Sequence, residues 1–435
     1  MTDLTKAARN PLFWVPSLYF AQGLPFFAVA VVARQMFKSM GIPNDDINHW
    51  MALIMLAWTF KPFWSPFLEL VSSKKLVVVT FQLTSALCLA GLAVALHFPF
   101  WIAACVGMLA LLAISSATHD IACDGLYIFS LSVPDQARYA GWTGTFFNAG
   151  RLIAAGVLLK LAGYLEKSLG VIPAWTIAFS LLAVMMVALG LYNSWSLPQA
   201  KNTVAAGTTA ASIVRTLKEV ILDYFSKPGI VVAIIFIILF RAGEAQVQSI
   251  GPLFLRDAHN VGGLGLSTDE VGSVYGTVGT IAFIIGSIGG GYFTSWLGLK
   301  RAILVLILAV NLPNLVFLYL AANLPTNLVV IGTALSLEMF GYGFGFVGLI
   351  LYMMQVVAPG KYQTAHYAFS TGIMQLGYSL FTWVSGDIQL ALGYKNFFIW
   401  VLLASVPVAI LSQFIPMTAH ERDPTLPTVA PAMAH

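Results

Sequence analysis

The chain has 435 residues, of which 59% are hydrophobic and 9% are charged. Soluble domains carry roughly 25% charged residues, so this composition excludes an ordinary soluble protein and predicts one that crosses a membrane many times. The formal net charge of +4 is spread over short connections and forms no single basic patch, so no nucleic-acid partner is expected. The three cysteines lie in apolar segments, so no disulfide framework is expected.

Twelve apolar runs are each long enough to cross the hydrocarbon core of a bilayer, which is about 30 Å thick. The first run is followed by Arg34 and not by a small-residue cleavage site, so we expect it to remain as a membrane helix and not to be removed as a signal peptide. The runs lie near 11–33, 49–71, 76–97, 99–130, 139–163 and 173–192, and then near 229–256, 268–296, 302–323, 326–357, 365–391 and 396–416. This pattern predicts an all-α membrane protein.

The longest connection divides the runs into two sets of six, which is typical of the major facilitator fold with its two six-helix bundles. This connection is rich in Ser, Thr and Ala, and its part near 212–225 has the pattern of a short amphipathic helix on a membrane surface. Lys and Arg are more frequent on the side of the N-terminus, which predicts both termini in the cytoplasm. The predicted domains are a first bundle in 1–192, a cytoplasmic linker in 193–228, a second bundle in 229–416 and a disordered cytoplasmic tail in 417–435.

A polar stretch interrupts the fourth apolar run at 115–127. Asp120 and Asp124 are four residues apart, so a helix places both on one face, while His119 points about 100° away. A carboxylate near the middle of a bilayer costs about 2.5–3.5 kcal/mol on insertion scales, so two in adjacent turns are expected to face a cavity, find partners or hold a proton. The alternative is a structural carboxylate paired with a basic residue on a neighbouring helix.

Other polar residues of the first half offer partners for these aspartates. Lys61 is flanked by aromatic residues deep in the second run, where it can neutralise an aspartate, bind an anionic ligand or extend its stem to the interface. Arg151 shares a helical face with Asn148 and is a second candidate partner. Gln22 stands beside a Gly-x-Pro break, which either frees a carbonyl toward a cavity or only kinks the helix.

The seventh run begins the second half with a polar stripe. Arg241 and Glu244 are three residues apart, and an intrahelical ion pair is the simpler explanation. Gln248 extends the stripe by one turn, and because a polar stripe facing lipid is costly we expect it to face the bundle interior. Glu338 adds a further acidic residue in the tenth run.

Glycines mark two runs of the second half. In the eighth run they recur at 272, 276, 279, 286 and 290, a small-xxx-small or nearly equivalent spacing that predicts close packing against another helix. In the tenth run they recur over 341–348, which predicts a bendable helix.

No segment has the spacing of a zinc site, a phosphate-binding glycine loop or a hydrolase elbow, so no metal, no cofactor and no enzymatic activity are expected. The alternative from a different class is a membrane-embedded acyl or lipid transferase. His119 beside Asp120 is the only hint of such an enzyme.

Four motifs combine into a family pattern. They read Leu-Tyr-Phe-Ala-Gln-Gly-Leu-Pro-Phe at 18–26, Lys-Pro-Phe-Trp-Ser-Pro at 61–66, Ala-Thr-His-Asp-Ile-Ala-Cys-Asp-Gly at 117–125 and Arg-Ala-Gly-Glu-Ala at 241–245. Together they resemble the AmpG-like permeases, the anhydromuropeptide transporters of the major facilitator superfamily, which are related to acetyl-CoA transporters. The resemblance spans nearly the whole chain.

This resemblance implies a twelve-helix core and proton-driven uptake across the bacterial inner membrane. Two departures are present. The loops at 72–75 and 298–301 lack the aspartate of the Asp-Arg-x-Gly-Arg-Arg signature, and the two further helices common in muropeptide permeases are not among the twelve runs. A sugar, an oligosaccharide, a siderophore or another small metabolite is therefore an alternative substrate. The charged residues that match the family are Lys61, Asp120, Asp124, Arg241, Glu244 and Glu338.

The predicted function is secondary transport by alternating access, with a muropeptide, amino sugar or oligosaccharide held between the two bundles near the membrane midplane. The expected partners are this small molecule, protons and the lipid membrane, and the chain is expected to be a monomer. Sodium coupling is an alternative, because carboxylates and free carbonyls suit it as well. Proton coupling is assigned first to Asp120 and Asp124, and second to Glu244 or Glu338.

Aromatic and amide side chains in the runs are the expected substrate ligands. The aromatic residues predicted to stack on a sugar ring are Tyr19, Trp58, Trp142, Tyr342 and Tyr378, and the amides predicted to hydrogen-bond it are Gln22, Asn148, Gln248, Gln355 and Gln375. The basic and imidazole groups expected at the same site are Lys61, His119, Arg151 and Arg241.

Overall fold

The computed structural model describes residues 10–65, 68, 71, 73–131, 133–199, 210–360 and 362–417. Its first half contains α1 (Val15–Phe27), α2 (Ala33–Ser39), α3 (Asn44–Trp64), α4 (Lys74–Ala95), α5 (Trp101–Ser130), α6 (Val133–Arg151), α7 (Leu159–Leu169) and α8 (Val171–Ser196). The helix α9 (Ala210–Ser226) connects it to α10 (Ile230–Arg256), α11 (Thr268–Val271), α12 (Thr280–Leu297), α13 (Leu299–Asn311), α14 (Leu315–Asn323), α15 (Leu328–Tyr352), α16 (Gln363–Ala404) and α17 (Val406–Leu411). The predicted all-α class is confirmed.

The described residues contain ten helices that are long and apolar enough to cross a membrane, which confirms a multi-pass membrane protein. The difference from twelve arises at two places. The 21-residue α3 is not among the ten. The eleventh and twelfth expected runs lie within one span, Ala365–Leu411, whose backbone leaves helical geometry at Gly393 (φ 70°). The number twelve and the domain boundaries stay predictions, and the expected tail lies outside the described residues except for its first residue.

Two π-helical segments meet where the halves cross. They are Leu152–Leu158, between α6 and α7, and Gly272–Gly279, between α11 and α12. A Cβ on Gly276 would lie 1.7 Å from the carbonyl oxygen of Ala155, so only glycine permits this approach. The predicted close-packing face of the eighth run is therefore confirmed.

A second contact between the halves runs along α3 and α16. A Cβ on Gly386 would lie 2.4 Å from the Cα of Asp45, and one on Gly372 would lie 2.8 Å from the carbonyl oxygen of Thr59. We call the membrane side where α1 begins the near side, and the side where α2 ends the far side. The helices α3 and α16 are thus in close contact both at the start of α3, near Asp45, and near its end, at Thr59.

Candidate functional site

Asp120 is enclosed by side chains from α3. The Trp58 indole Nε1 donates a hydrogen bond of 3.0 Å to Asp120 Oδ2, and Lys61 Nζ lies 3.7 Å from the same oxygen. Asp120 itself is 5% exposed. Because a buried carboxylate is costly unless it is paired, the lysine and the indole stabilise its charged form. The predicted pairing of Lys61 with one of the two aspartates is confirmed for Asp120.

Asp124 lies one turn further along the same face of α5, in different surroundings. The Tyr19 hydroxyl donates to its Oδ1 at 3.3 Å, and the Tyr19 ring packs edge-on against Tyr127. Asp124 is exposed, and Tyr367 of α16 lies within its electrostatic reach. Among the described residues no basic group lies within 4.0 Å of it. We call the aspartate cluster the set Tyr19, Trp58, Lys61, Asp120 and Asp124.

An intrahelical ion pair opens the polar stripe of α10. Arg241 Nη1 lies 2.9 Å from Glu244 Oε2, and the two side chains are 6% and 2% exposed. The guanidinium carbon lies 5.1 Å from the ring centre of Phe346 and 4.9 Å from that of Tyr378, which adds cation–π attraction. The expected ion pair is confirmed, and Tyr378 packs on the arginine that forms it.

Glu338 of α15 is a second buried carboxylate, 1% exposed. The Gln248 amide donates to its Oε1 at 3.4 Å, and the Tyr275 hydroxyl in turn donates to Gln248 Oε1 at 2.7 Å. Among the described residues its Oε2 has no hydrogen-bond partner, and no basic group is within ion-pair distance. The polar stripe that ends at Gln248 therefore faces the interior, as predicted.

Arg151, the second expected partner of the aspartates, points instead across the interface to the second half. Its Nη2 lies 3.5 Å from Met339 Sδ, and its guanidinium carbon lies 5.8 Å from the ring centre of Phe27 and 5.3 Å from that of Phe283. Glu338 is within its electrostatic reach. Its direction follows from the packing of α6 against α1, which the spacing of polar residues does not encode. We call the arginine–glutamate cluster the set Arg151, Arg241, Glu244, Gln248, Tyr275 and Glu338.

A row of aromatic rings joins the two clusters. The ring centres of Trp58 and Phe26 are 5.1 Å apart, and those of Phe26 and Phe27 are 5.0 Å apart. Phe27 then packs against Arg151, so the row runs without a break from the partner of Asp120 to the arginine at the interface. Directly packed side chains therefore connect the two clusters.

Three expected substrate ligands lie apart from these clusters. His119 is 1% exposed and its Nε2 is 3.3 Å from Cys123 Sγ, on the face of α5 that points away from the aspartates. The imidazole is therefore enclosed, and its role as a substrate ligand stays a prediction. The Trp142 ring stacks on Phe146, and Asn148 donates to a carbonyl of its own helix.

The remaining expected ligands differ in exposure. Gln22 and Gln375 are buried, and the Gln22 Oε1 has no hydrogen-bond partner among the described residues. Tyr342 is half-buried with its ring 5.0 Å from that of Phe283, and Gln355 is exposed in the π-helical segment after α15. No contact within the described part of the chain joins these four into one group.

Sequence reasoning missed Tyr275, Phe27, Phe283 and Met339. Each is an apolar or aromatic residue in an apolar run, where nearly every residue has that character. Tyr275 had one available signal, because it is a hydroxyl-bearing side chain between glycines of a close-packing face.

Polar contacts between the two halves close the far side. Lys38 Nζ lies 2.6 Å from Asp257 Oδ1. Asn44 donates to Asp257 Oδ2 at 3.0 Å, to Gln389 Oε1 at 2.9 Å and to the Tyr394 hydroxyl at 2.7 Å. Tyr394 also donates to Asp257. We call these five residues the far-side lock.

Further pairs extend this closure. Lys167 of α7 lies 2.8 Å from Asp269 of α11, and His49 of α3 lies 2.9 Å from Asp387 of α16. On the near side, by contrast, no ion pair among the described residues joins the two halves. Among the described residues, the ion pairs between the two halves therefore lie on the far side.

A family model described as Major Facilitator Superfamily matches residues 17–386. With the fold and the two charged clusters at its interface, the chain belongs to this superfamily, a class of membrane transporters.

Two curated relatives show which transporters of this superfamily the chain resembles. The chain is 24% identical to the anhydromuropeptide permease of Escherichia coli (strain K12) over 404 residues, which cover 91% of this chain and 77% of the permease. It is 22% identical to the putative transporter AmpG 4 of Rickettsia conorii over 434 residues, covering 95% of this chain and 98% of the relative. These matches confirm the resemblance to AmpG-like permeases.

Solved structures confirm the fold. A point mutant of the nucleoside transporter NupG superposes with a TM-score of 0.70 at 15% identity, covering 92% of this chain and 98% of that one. A D-xylose-proton symporter superposes with a TM-score of 0.70 at 12% identity, covering 92% and 97%. At such identities the likeness concerns the fold alone.

Proposed function

We propose that this protein is a proton symporter of the bacterial inner membrane. It imports a cell-wall-derived muropeptide or a related amino-sugar oligosaccharide by alternating access, with both termini and the near side in the cytoplasm. It works as a monomer, the arrangement expected from the sequence. In the present conformation the far-side lock is formed and the site is accessible from the cytoplasm.

The observation that carries this proposal is a difference among four membrane carboxylates. Asp120 and Glu244 each have a basic partner within 4.0 Å, whereas Asp124 and Glu338 have none among the described residues. Glu338 is buried, and a buried charge without a close countercharge is costly, so protonation removes that cost. Asp124 is exposed, so protons can reach it in the present conformation. We therefore assign proton coupling to Asp124 in the first half and Glu338 in the second, with the other two acids as structural partners of cations.

Arg151 provides the link between the proton and the movement of the two halves. It is anchored in the first half and lies within the electrostatic reach of Glu338 in the second. Ionised Glu338 attracts this guanidinium across the interface, and protonation abolishes the attraction. The proton therefore changes the relative stability of the two conformations, which is the requirement for coupling.

The substrate assignment draws on the relatives and on the site. The Escherichia coli relative is named an anhydromuropeptide permease. Tyr342, which is half-buried, offers a ring on which a sugar can stack. The transferase alternative loses its one hint, because His119 faces Cys123 and is enclosed.

Uptake into liposomes tests the proposed substrate. Purified protein would be reconstituted with a proton gradient and supplied in turn with labelled N-acetylglucosamine–anhydromuramyl peptides, simple sugars and siderophores. We expect chemically unchanged anhydromuropeptide to accumulate. If only sugars or only siderophores accumulated, the proposed substrate would be wrong and that class would take its place. A chemically altered product would contradict transport.

A further inference from the structure

The helix α9 is fastened to the second half along one side. Tyr224 is buried, and its hydroxyl lies 3.0 Å from Ser370 Oγ of α16. Lys227, which follows the helix, donates to the carbonyl oxygen of Val357 at 2.7 Å and to that of Pro359 at 2.8 Å. These bonds fix α9 at the near-side ends of α15 and α16.

The acidic residues of α9 are also turned toward α16. Asp223 Oδ2 lies 3.4 Å from His366 Nε2, and the Tyr362 hydroxyl donates to Glu219 Oε2 at 3.4 Å. Both acidic side chains are thus paired with α16, although they remain exposed, Asp223 at 47%.

The outward side of α9, formed by Val214, Arg215, Lys218, Leu222 and Phe225, has a different character. Helical geometry brings these residues close together along one side of the helix. The three apolar side chains are 52%, 60% and 55% exposed in chain order, and both basic residues are exposed. Exposing large apolar side chains to water is unfavourable, so this side requires an apolar environment that also accepts positive charge.

The outward side lies next to the lipid-facing surface of the second half. The helix α9 ends at Ser226 and the membrane-spanning α10 begins at Ile230, so only one short turn separates them. At the start of α10, Val231 and Ile235 are 66% and 45% exposed. The apolar residues of α9 thus continue an apolar surface that begins in the membrane, and its basic residues lie where phospholipid headgroups are found.

We propose that the outward side of α9 binds anionic phospholipids of the near-side leaflet. Val214, Leu222 and Phe225 insert at the boundary between headgroups and acyl chains, and Arg215 and Lys218 contact lipid phosphates. Each basic residue near an anionic surface contributes about five-fold to the preference for it. Because α9 is fastened to the second half, this contact holds that half at the membrane surface, whichever substrate is transported.

Spin labelling tests the proposal in the full-length protein. A single cysteine replaces Leu222 in one variant and Glu219, on the acidic flank, in a matched control. The three native cysteines are buried, so the label attaches at the introduced position. Collision of the label with oxygen and with a water-soluble nickel chelate would be compared in nanodiscs of phosphatidylcholine alone and with added phosphatidylglycerol.

We expect the label at Leu222 to collide mainly with oxygen, and this preference to increase when phosphatidylglycerol is added. Arg215→Gln with Lys218→Gln should abolish the increase, and the label at Glu219 should not respond. Free access of the nickel chelate to the Leu222 label would overturn the proposal. Exclusion of both reagents would mean that protein and not lipid covers this side, and an increase that survives in the double variant would refute recognition of anionic lipid.

Discussion

Asp124 and Glu338 differ in their exposure, which gives them different roles in the proposed coupling cycle. Asp124 is exposed, so in the proposed cycle it is the acid that exchanges protons with water in the present conformation. Glu338 is 1% exposed and lies within the electrostatic reach of Arg151 across the interface. In the proposed cycle its proton state therefore acts on the contact between the halves, and this buried acid is the more direct control of the conformational change.

Neutralising Glu338 should uncouple transport. We expect Glu338→Gln to lose proton-driven accumulation and to keep exchange of substrate across the membrane, because the amide imitates the protonated acid. Asp124→Asn should likewise lose proton-driven accumulation and keep exchange of substrate. Uptake and counterflow in liposomes measure the two activities, and Asp46→Asn, at the start of α3, is the control. Full accumulation by both variants would place coupling elsewhere.

The indole of Trp58 should stabilise the fold through Asp120. Trp58→Phe keeps an aromatic ring against Phe26 but removes the donor to a buried carboxylate, which costs about 1–3 kcal/mol. Thermal unfolding in detergent should therefore occur at a lower temperature. Trp296→Phe, at a position that is 82% exposed, should leave unfolding unchanged. Equal unfolding of both variants would show that the hydrogen bond contributes little.

At the scale of single residues, the sequence predicts which residues are chemically important better than it predicts their partners. The pairing of Lys61 with an aspartate and that of Arg241 with Glu244 follow from unusual charges in apolar runs. The direction of Arg151 does not, because helical spacing defines a face and not the neighbouring helix that the face meets. The sequence does not predict the burial of His119 for the same reason.

At the scale of elements, glycine determines where the two halves cross. The π-helical segments Leu152–Leu158 and Gly272–Gly279 approach so closely that a methyl group at Gly276 would overlap the backbone. A methyl group added at Gly291 of α12 would have no atom within 4 Å and would lie in open space. Two glycines of the same expected run thus have opposite tolerance for a side chain.

We therefore predict opposite outcomes for two alanine substitutions. Gly276→Ala must displace a backbone carbonyl, and such overpacking costs about 1–3 kcal/mol. Gly291→Ala should be neutral or slightly stabilising. Thermal unfolding compares them directly, and equal stability of the two variants would contradict this packing.

The apolar runs predict the helical spans well because length and composition alone define them. The runs near 229–256 and 268–296 agree closely with Ile230–Arg256 and Thr268–Thr294. Local irregularities are not predicted, since π-helical turns and the break at Gly393 depend on tertiary packing. The amphipathic pattern near 212–225 predicts α9 correctly, but not the side that docks on α16.

At the scale of the whole molecule, the far-side lock stabilises one conformation of the proposed alternating-access cycle. Lys38 and Asn44 come from the first half and Asp257, Gln389 and Tyr394 from the second, so every contact between these two groups must break when the far side opens. No similar ion pair joins the halves on the near side among the described residues. Asp257 contacts both first-half members of the lock, Lys38 and Asn44.

Removing the charge of Asp257 should favour opening on the far side. Asp257→Asn weakens the bond to Lys38, so spin labels at Ser168 and Asn323, on far-side ends of the two halves, should move apart. Double electron–electron resonance measures their distance, with Asp46→Asn as the control. An unchanged distance distribution would show that the other far-side pairs suffice for closure.

A measurement of proton flux tests proton symport through Glu338 most directly. Protein reconstituted in liposomes with a pH-sensitive dye inside would receive an anhydromuropeptide outside, without an imposed gradient. We expect the lumen to become acidic with wild-type protein and Glu338→Gln to carry substrate inward without acidification. Substrate uptake with no pH change in the wild type, or acidification that persists in Glu338→Gln, would contradict proton symport through this carboxylate.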